Sequence, residues 1–141
     1  MDVETGKIKV LQLTAVVFAG RVVNPRLCEL QLDGCAIFGL GQALFEEMTY
    51  DDHGQLINTN LGDYNVPSFE DIPWKVNSCA LEQAEAETLH GIGETLLPPV
   101  MAAIGAALYN ATGVRLRELP LTAEKVLLAL RNGSLRDQDA H

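Results

Sequence analysis

Basic residues are scarce in this 141-residue chain: 10 Lys and Arg stand against 19 Asp and Glu, a formal net charge of −9. Nucleic acid and anionic membrane surfaces both select for Lys and Arg, so neither is an expected partner. Most of the acidity serves solubility. Cysteine is sparse as well. Cys28, Cys35 and Cys79 form no CxxC pair and leave an odd thiol. A zinc site and a disulfide framework are both disfavoured, and reduced, mostly buried thiols in a cytoplasmic protein are expected. His53, His90 and His141 show no metal-ligand spacing, so no metal ligand is assigned to a side chain. Long apolar runs are missing too. The longest, Leu96 to Tyr109, falls short of the roughly 18 residues of a membrane span, and Pro98 and Pro99 interrupt it. Met1 to Lys7 carries no apolar signal core, and no repeat or low-complexity tract occurs.

What is present suffices for a core. Hydrophobic residues make up 48% of the chain. A chain of this length forms one domain and buries roughly 68–70% of its unfolded surface. Ile8 to Phe18 is β-rich, after a turn at Glu4-Thr5-Gly6-Lys7. Asn24-Pro25 is a helix start, with Asn as N-cap and Pro at the first helical position. The helix is expected to run to about Glu47. Its inward stripe is read as Leu27, Leu30, Gly34, Phe38, Gly41, Phe45 and Met48. Gly34, Gly39 and Gly41 each cost about 1 kcal/mol against alanine in a helix, so either another group approaches closely or the helix breaks near Gly39.

Met48 to Asn60 reads as a hairpin turning at Asp51-Asp52-His53-Gly54, and Asp63 to Pro73 as an ordered, extended loop. Lys75 to Leu81 has strand character, and the segment from Glu82 to Thr88 is acidic and exposed. A helix starting at Pro98 or Pro99 should end at Gly113, and a last one should begin after an N-cap at Thr122 and stop at Gly133. Strands and helices mix without regular βαβ alternation, so the class is α+β: a mixed sheet packed with a long glycine-containing helix and two C-terminal helices. Residues 1–133 form the single domain and 134–141 a disordered tail.

Chemistry concentrates at Gly91-Ile92-Gly93-Glu94, just ahead of an apolar, doubly prolyl helix start. Glycines let backbone approach a ligand closely, and N-H groups of a helix start favour an anion. A glutamate binds anions poorly, so its placement there points to proton transfer. Two other readings stand beside it: a carboxylate favoured by the helix dipole, and a small anion- or cofactor-binding module built on the glycine turn.

In order along the chain, these pieces resemble the C-terminal part of the molybdopterin-binding large subunit of the molybdenum hydroxylases, the xanthine dehydrogenase/aldehyde oxidase family. The resemblance runs from Asp2-Val3-Glu4-Thr5-Gly6 through Asn24-Pro25 and Gln31-Leu32-Asp33-Gly34 to Gly39-Leu40-Gly41-Gln42-Ala43-Leu44-Phe45-Glu46-Glu47. Asp63-Tyr64, Val66-Pro67, Asp71-Ile72-Pro73, Gly91-Ile92-Gly93-Glu94 and the stretch from Ala111-Thr112-Gly113-Val114-Arg115 to Leu119-Pro120-Leu121-Thr122 continue it. Each motif alone is weak, but their order makes the match specific.

The resemblance implies that Glu94 is the general base beside the molybdenum, with Gly91, Ile92 and Gly93 shaping the cofactor pocket. It implies that Gln31 donates a hydrogen bond near the metal's oxo ligand. A positioned base contributes typically 10²–10⁴-fold. The carboxylate is expected to be buried against Leu96, Leu97 and an apolar cofactor pocket. Phe38 departs from the pattern, standing where many relatives carry a second glutamine. The implied reaction is hydroxylation of an aldehyde or N-heterocycle with molybdopterin. The implied partners are the remainder of the large subunit and iron-sulfur and FAD subunits. Without them the chain is expected to be inactive, and a non-catalytic remnant forming a homo-oligomer is the alternative.

Overall fold

A computed structural model describes residues 1–83, 85 and 87–138 of the chain. Its elements follow in the order β1 (Gln12–Gly20), α1 (Pro25–Leu44), α2 (Leu61–Tyr64), β2 (Lys75–Glu82), α3 (Leu97–Thr112) and α4 (Ala123–Gln138). β1 and β2 pair in parallel, from Gln12 opposite Lys75 to Gly20 opposite Glu82. Antiparallel pairing is confined to single bridges, Gly20 with Leu89 and Tyr50 with Leu56. The second of these closes the expected hairpin, with Gly54 at φ +76° in its turn.

β1 starts later than the run of β-formers suggests: its ladder with β2 begins at Gln12 opposite Lys75. Ile8 and Val10 still pack on the core as extended chain. One face of the sheet, Leu13, Ala15 and Val17 with Val76 and Ala80, packs with the helices. The other face is open, and there Val16 lies opposite Cys79 and Phe18 opposite Leu81. Parallel sheets are almost always covered on both faces, so this apolar outer face is unusual.

The start of α1 is as the local chemistry dictates. Asn24 caps it, accepting from the Leu27 N–H at 3.1 Å, and Pro25 opens the first turn. Asn24→Ala should cost about 1 kcal/mol in chemical denaturation, the usual loss of a helix cap. The helix stays unbroken through Gly39 to Leu44.

Its inward face matches the expected stripe only at the C-terminal end, where Gly41 is buried and Phe45 packs on the core. Leu32, Cys35, Ala36, Leu40 and Ala43 are buried, whereas Leu27, Leu30 and Phe38 are 61%, 59% and 56% exposed. A helix apolar on both sides offers two stripes to a periodicity count, and only tertiary packing chooses between them. Gly39 shows how the choice is made. A Cβ there would lie 2.8 Å from Val100 Cβ and 2.9 Å from the Leu97 carbonyl, so α3 crosses α1 at this glycine. Nothing lies within 4 Å of a Cβ built at Gly34.

α3 buries Val100, Ile104 and Leu108 at helical spacing and ends at Gly113, whose φ is +72°. Arg115, just beyond, lies over the Tyr109 ring, 4.1 Å from its centroid. Thr122 caps α4, its hydroxyl accepting from the Lys125 N–H at 3.3 Å, and Val126 is buried. α4 runs past Gly133 to Gln138 where a stop was expected, since one interior glycine costs a helix only about 1 kcal/mol. Residues 139–141 of the expected tail lie outside the described residues. Among the described residues no helix is long and apolar enough to cross a membrane.

The loop from Asp63 to Pro73 docks on the end of α1. The Tyr64 hydroxyl donates to Glu46, and that bond to a carboxylate raises the phenol above its ordinary range. Further on, the Ser68 hydroxyl and N–H donate to Asp71 at 2.7 and 2.9 Å. The hydroxyl bond foremost holds the Asp71 carboxyl below the usual carboxylate range. A lowered folded-state value adds stability above the ordinary carboxylate range, and this is lost as pH falls through the lowered value. Ser68→Ala should therefore move the Asp71 titration upward toward its ordinary position, read by carboxyl carbon NMR.

Candidate functional site

The C-terminal end of β1 is the pivot from which the site is built. Gly20, at φ +66°, has no room for a side chain: a Cβ would lie 2.5 Å from the Thr88 carbonyl oxygen. Chain returning from β2 is pinned there by Arg21 N–H to the Thr88 carbonyl at 3.0 Å and His90 N–H to the Ala19 carbonyl at 3.1 Å. His90 also packs on Phe18, with ring centroids 5.2 Å apart. α1 departs from the same pivot five residues after Gly20. Two segments distant in sequence, the second turn of α1 and the turn 91–94, are thereby brought together.

Their meeting point is a hydrogen bond. Gln31 Nε2 donates to the Gly93 carbonyl at 2.7 Å, across 62 residues of sequence. Glu94 is thus next to the Gln31 helix, as the proton-transfer reading requires. The expected burial of Glu94 is not found in this chain. Its side chain is exposed, and among the described residues no hydrogen bond or ion pair holds the carboxylate. Leu96 beyond it is buried, Leu97 is half-buried, and the Glu94 carbonyl accepts from the Leu97 N–H at 3.2 Å.

The glycines of the turn are not explained by the chain itself. A Cβ at Gly91 or Gly93 would meet nothing within 4 Å, and neither residue has positive φ. Lack of side chains there keeps backbone accessible from outside. The helix start that follows is a poor anion cradle, however. Pro98 and Pro99 have no N–H, and the N–H groups of Leu97 and Val100 are satisfied internally. This argues against the simple anion-binding module.

Gln31, Gly34, Leu27 and Phe38 fall on one stripe of α1, spaced i, i+4, i+7 and i+11 from Leu27, and all are exposed. The glutamine amide spends one N–H on Gly93 and keeps a second N–H and its carbonyl oxygen for an outside partner. These residues fit a large cofactor laid against the stripe and the glycine turn, with polar handles at Gln31 and Glu94. An apolar groove of ≈ 640 Å³ lies elsewhere, between Ile8–Val16 and the face of α3 carrying Pro99, Ala103 and Ala107. Of the site's neighbourhood only Leu96 lines it, so its shape says nothing of the chemistry at Glu94. Cys35 is buried, Cys28 half-buried and Cys79 exposed, so the thiols are less buried than expected. Among the described residues no three His, Cys, Asp or Glu side chains could share a metal ion.

The chain is thus an α+β unit with an exposed helix stripe beside a glycine turn whose acid has no partner among the described residues. The molybdopterin cofactor-binding domain family matches residues 1–73. The chain belongs to that family, the molybdopterin-binding subunits of the xanthine dehydrogenases and aldehyde oxidoreductases.

The aldehyde oxidoreductase molybdenum-binding subunit PaoC of Escherichia coli is 39% identical over 128 residues, covering 87% of this chain and 17% of that protein. A putative xanthine dehydrogenase molybdenum-binding subunit of the same organism, XdhA, is 37% identical over 130 residues, covering 89% and 17%. Among solved structures, the aldehyde oxidoreductase of Desulfovibrio desulfuricans superposes with a TM-score of 0.78 at 33% identity, over 90% of this chain and 14% of that one. The chain thus spans about one sixth of the length of the curated relatives it matches.

Proposed function

We propose that this chain is the C-terminal portion of a molybdenum hydroxylase large subunit. It completes a molybdopterin pocket together with the remainder of that subunit and is inactive without it. The observation that carries the reading is the apolar stripe of α1, left open beside an acid that has no partner among the described residues. Apolar area of that kind in contact with water marks a surface built to be covered. The open outer face of the sheet is a second such surface.

Molybdopterin, when bound, supplies the redox centre for hydroxylating an aldehyde or N-heterocycle. The chain's own residues do the rest. Glu94 accepts a proton at its carboxylate oxygens, which no group among the described residues occupies. Gly91, Ile92 and Gly93 let the cofactor approach the backbone, and the remaining N–H and carbonyl oxygen of Gln31 orient it. Covering of the site by the missing body excludes water, which strengthens each of these polar contacts. Iron-sulfur and FAD subunits are the electron-accepting partners in this reading.

Metal analysis of the purified protein tests it. Stoichiometric molybdenum in company with a larger co-purified chain is the expected result. A sharply folded, metal-free dimer would instead establish the non-catalytic remnant, which closes its apolar surfaces on a second copy.

A further inference from the structure

We propose that Gln31 is a positioning residue: its side-chain amide is the strut that fixes the Glu94-bearing turn to α1. The inference deepens the reading above and rests on it for the role of Glu94.

Ile92 packs on the core and Leu96 is buried, but the residues around the carboxylate, Gly91, Gly93 and Glu94, are exposed and have few polar holds. Gly91 and Gly93 leave the backbone free, and a Cβ at either would touch nothing. Thr95 contributes only a local bond, from its hydroxyl to the Ile92 carbonyl at 3.3 Å. Among the described residues the Gln31–Gly93 bond is the one side-chain hydrogen bond joining the turn to α1. Its acceptor is placed where it matters. The Gly93 carbonyl and the Glu94 N–H belong to one planar peptide unit, so holding the oxygen sets the plane from which the Glu94 side chain departs. The carboxylate has no partner among the described residues, so its aim depends on that plane. Gln31 is itself well anchored, on the second turn of a helix capped by Asn24 and packed along its inner face. A group mounted on such an element positions more precisely than one on a loop.

The test uses the 141-residue chain, isotopically labelled, and needs no cofactor. A through-hydrogen-bond NMR correlation should link Gln31 Nε2 to the Gly93 carbonyl carbon. Gln31→Met keeps the length of the side chain and removes the donor. Gln31→Asn keeps the amide but shortens the reach. Both should speed exchange of the Leu97 N–H, which bonds to the Glu94 carbonyl, by roughly 3- to 10-fold. Exchange at Leu108, deep in α3, should stay as it is. Lack of the correlation, or unchanged Leu97 exchange in both variants, overturns the strut.

In the assembled enzyme, Gln31→Met should lower kcat by roughly 10- to 100-fold, the order expected for a misplaced reacting group, with KM within twofold. A raised KM at preserved kcat would make Gln31 a binding ligand and overturn the positioning role. Should the assembly hold no molybdenum, the functional reading falls, while the NMR result still decides the strut.

Discussion

Glu94→Gln in the assembled enzyme should lower turnover by roughly 10²–10⁴-fold, the contribution of a positioned general base. The fold should not notice the change. Glu94 is exposed and holds no partner among the described residues, and exposed substitutions of that kind stay within about 0.5 kcal/mol. Steady-state hydroxylation rates, paired with chemical denaturation of the isolated chain, separate the two effects. Glutamine preserves size and hydrogen bonding while giving up the ability to take a proton, so a collapse in rate at full molybdenum content isolates proton transfer. Hydroxylation at the wild-type rate would remove Glu94 from the mechanism.

The second large effect comes from the two faces of α1. Leu40 is 0% exposed and packed in the core, so Leu40→Ala should cost about 2–5 kcal/mol in denaturant unfolding of the isolated chain. Phe38, two residues earlier, is 56% exposed, and Phe38→Ala should change that same stability by less than about 0.5 kcal/mol. The ordering should reverse in one respect on assembly. Phe38→Ala should weaken association with the remainder of the large subunit, because the aromatic ring is part of the surface to be covered. Equal cost of the two substitutions in the isolated chain would mean that the open stripe is already packed there, and the functional reading would lose its main support.

How much of this was legible in the sequence follows from how local each signal is. Asn24-Pro25, Gly113 and Thr122 mark helix ends through contacts two to four residues away, and all three do so in the structure. β2 was legible as a run, and β1 only in part, because where its pairing begins is set by the register with β2, far downstream. The face of α1 was not legible. Leu27, Leu30 and Phe38 are as apolar as Leu32, Leu40 and Leu44, and the deciding fact is where α3 crosses at Gly39. The acid-bearing turn was legible as a motif, and so was its neighbourhood to the Gln31 helix. Its exposure was not, because burial depends on surfaces outside this chain. The bond from Gln31 to Gly93 was also hidden, since no sequence pattern announces a contact across 62 residues.

The parallel pairing of β1 with β2 also governs when the domain can form. Partners such as Thr14 and Asn77 are 63 residues apart, so β1 leaves the ribosome well before β2 can bond to it. At about 5–20 residues per second that wait is roughly 3–13 s. Through that interval a strand bearing Val16 and Phe18 travels without its β2 partner, and an unpaired strand edge of that kind is prone to aggregate.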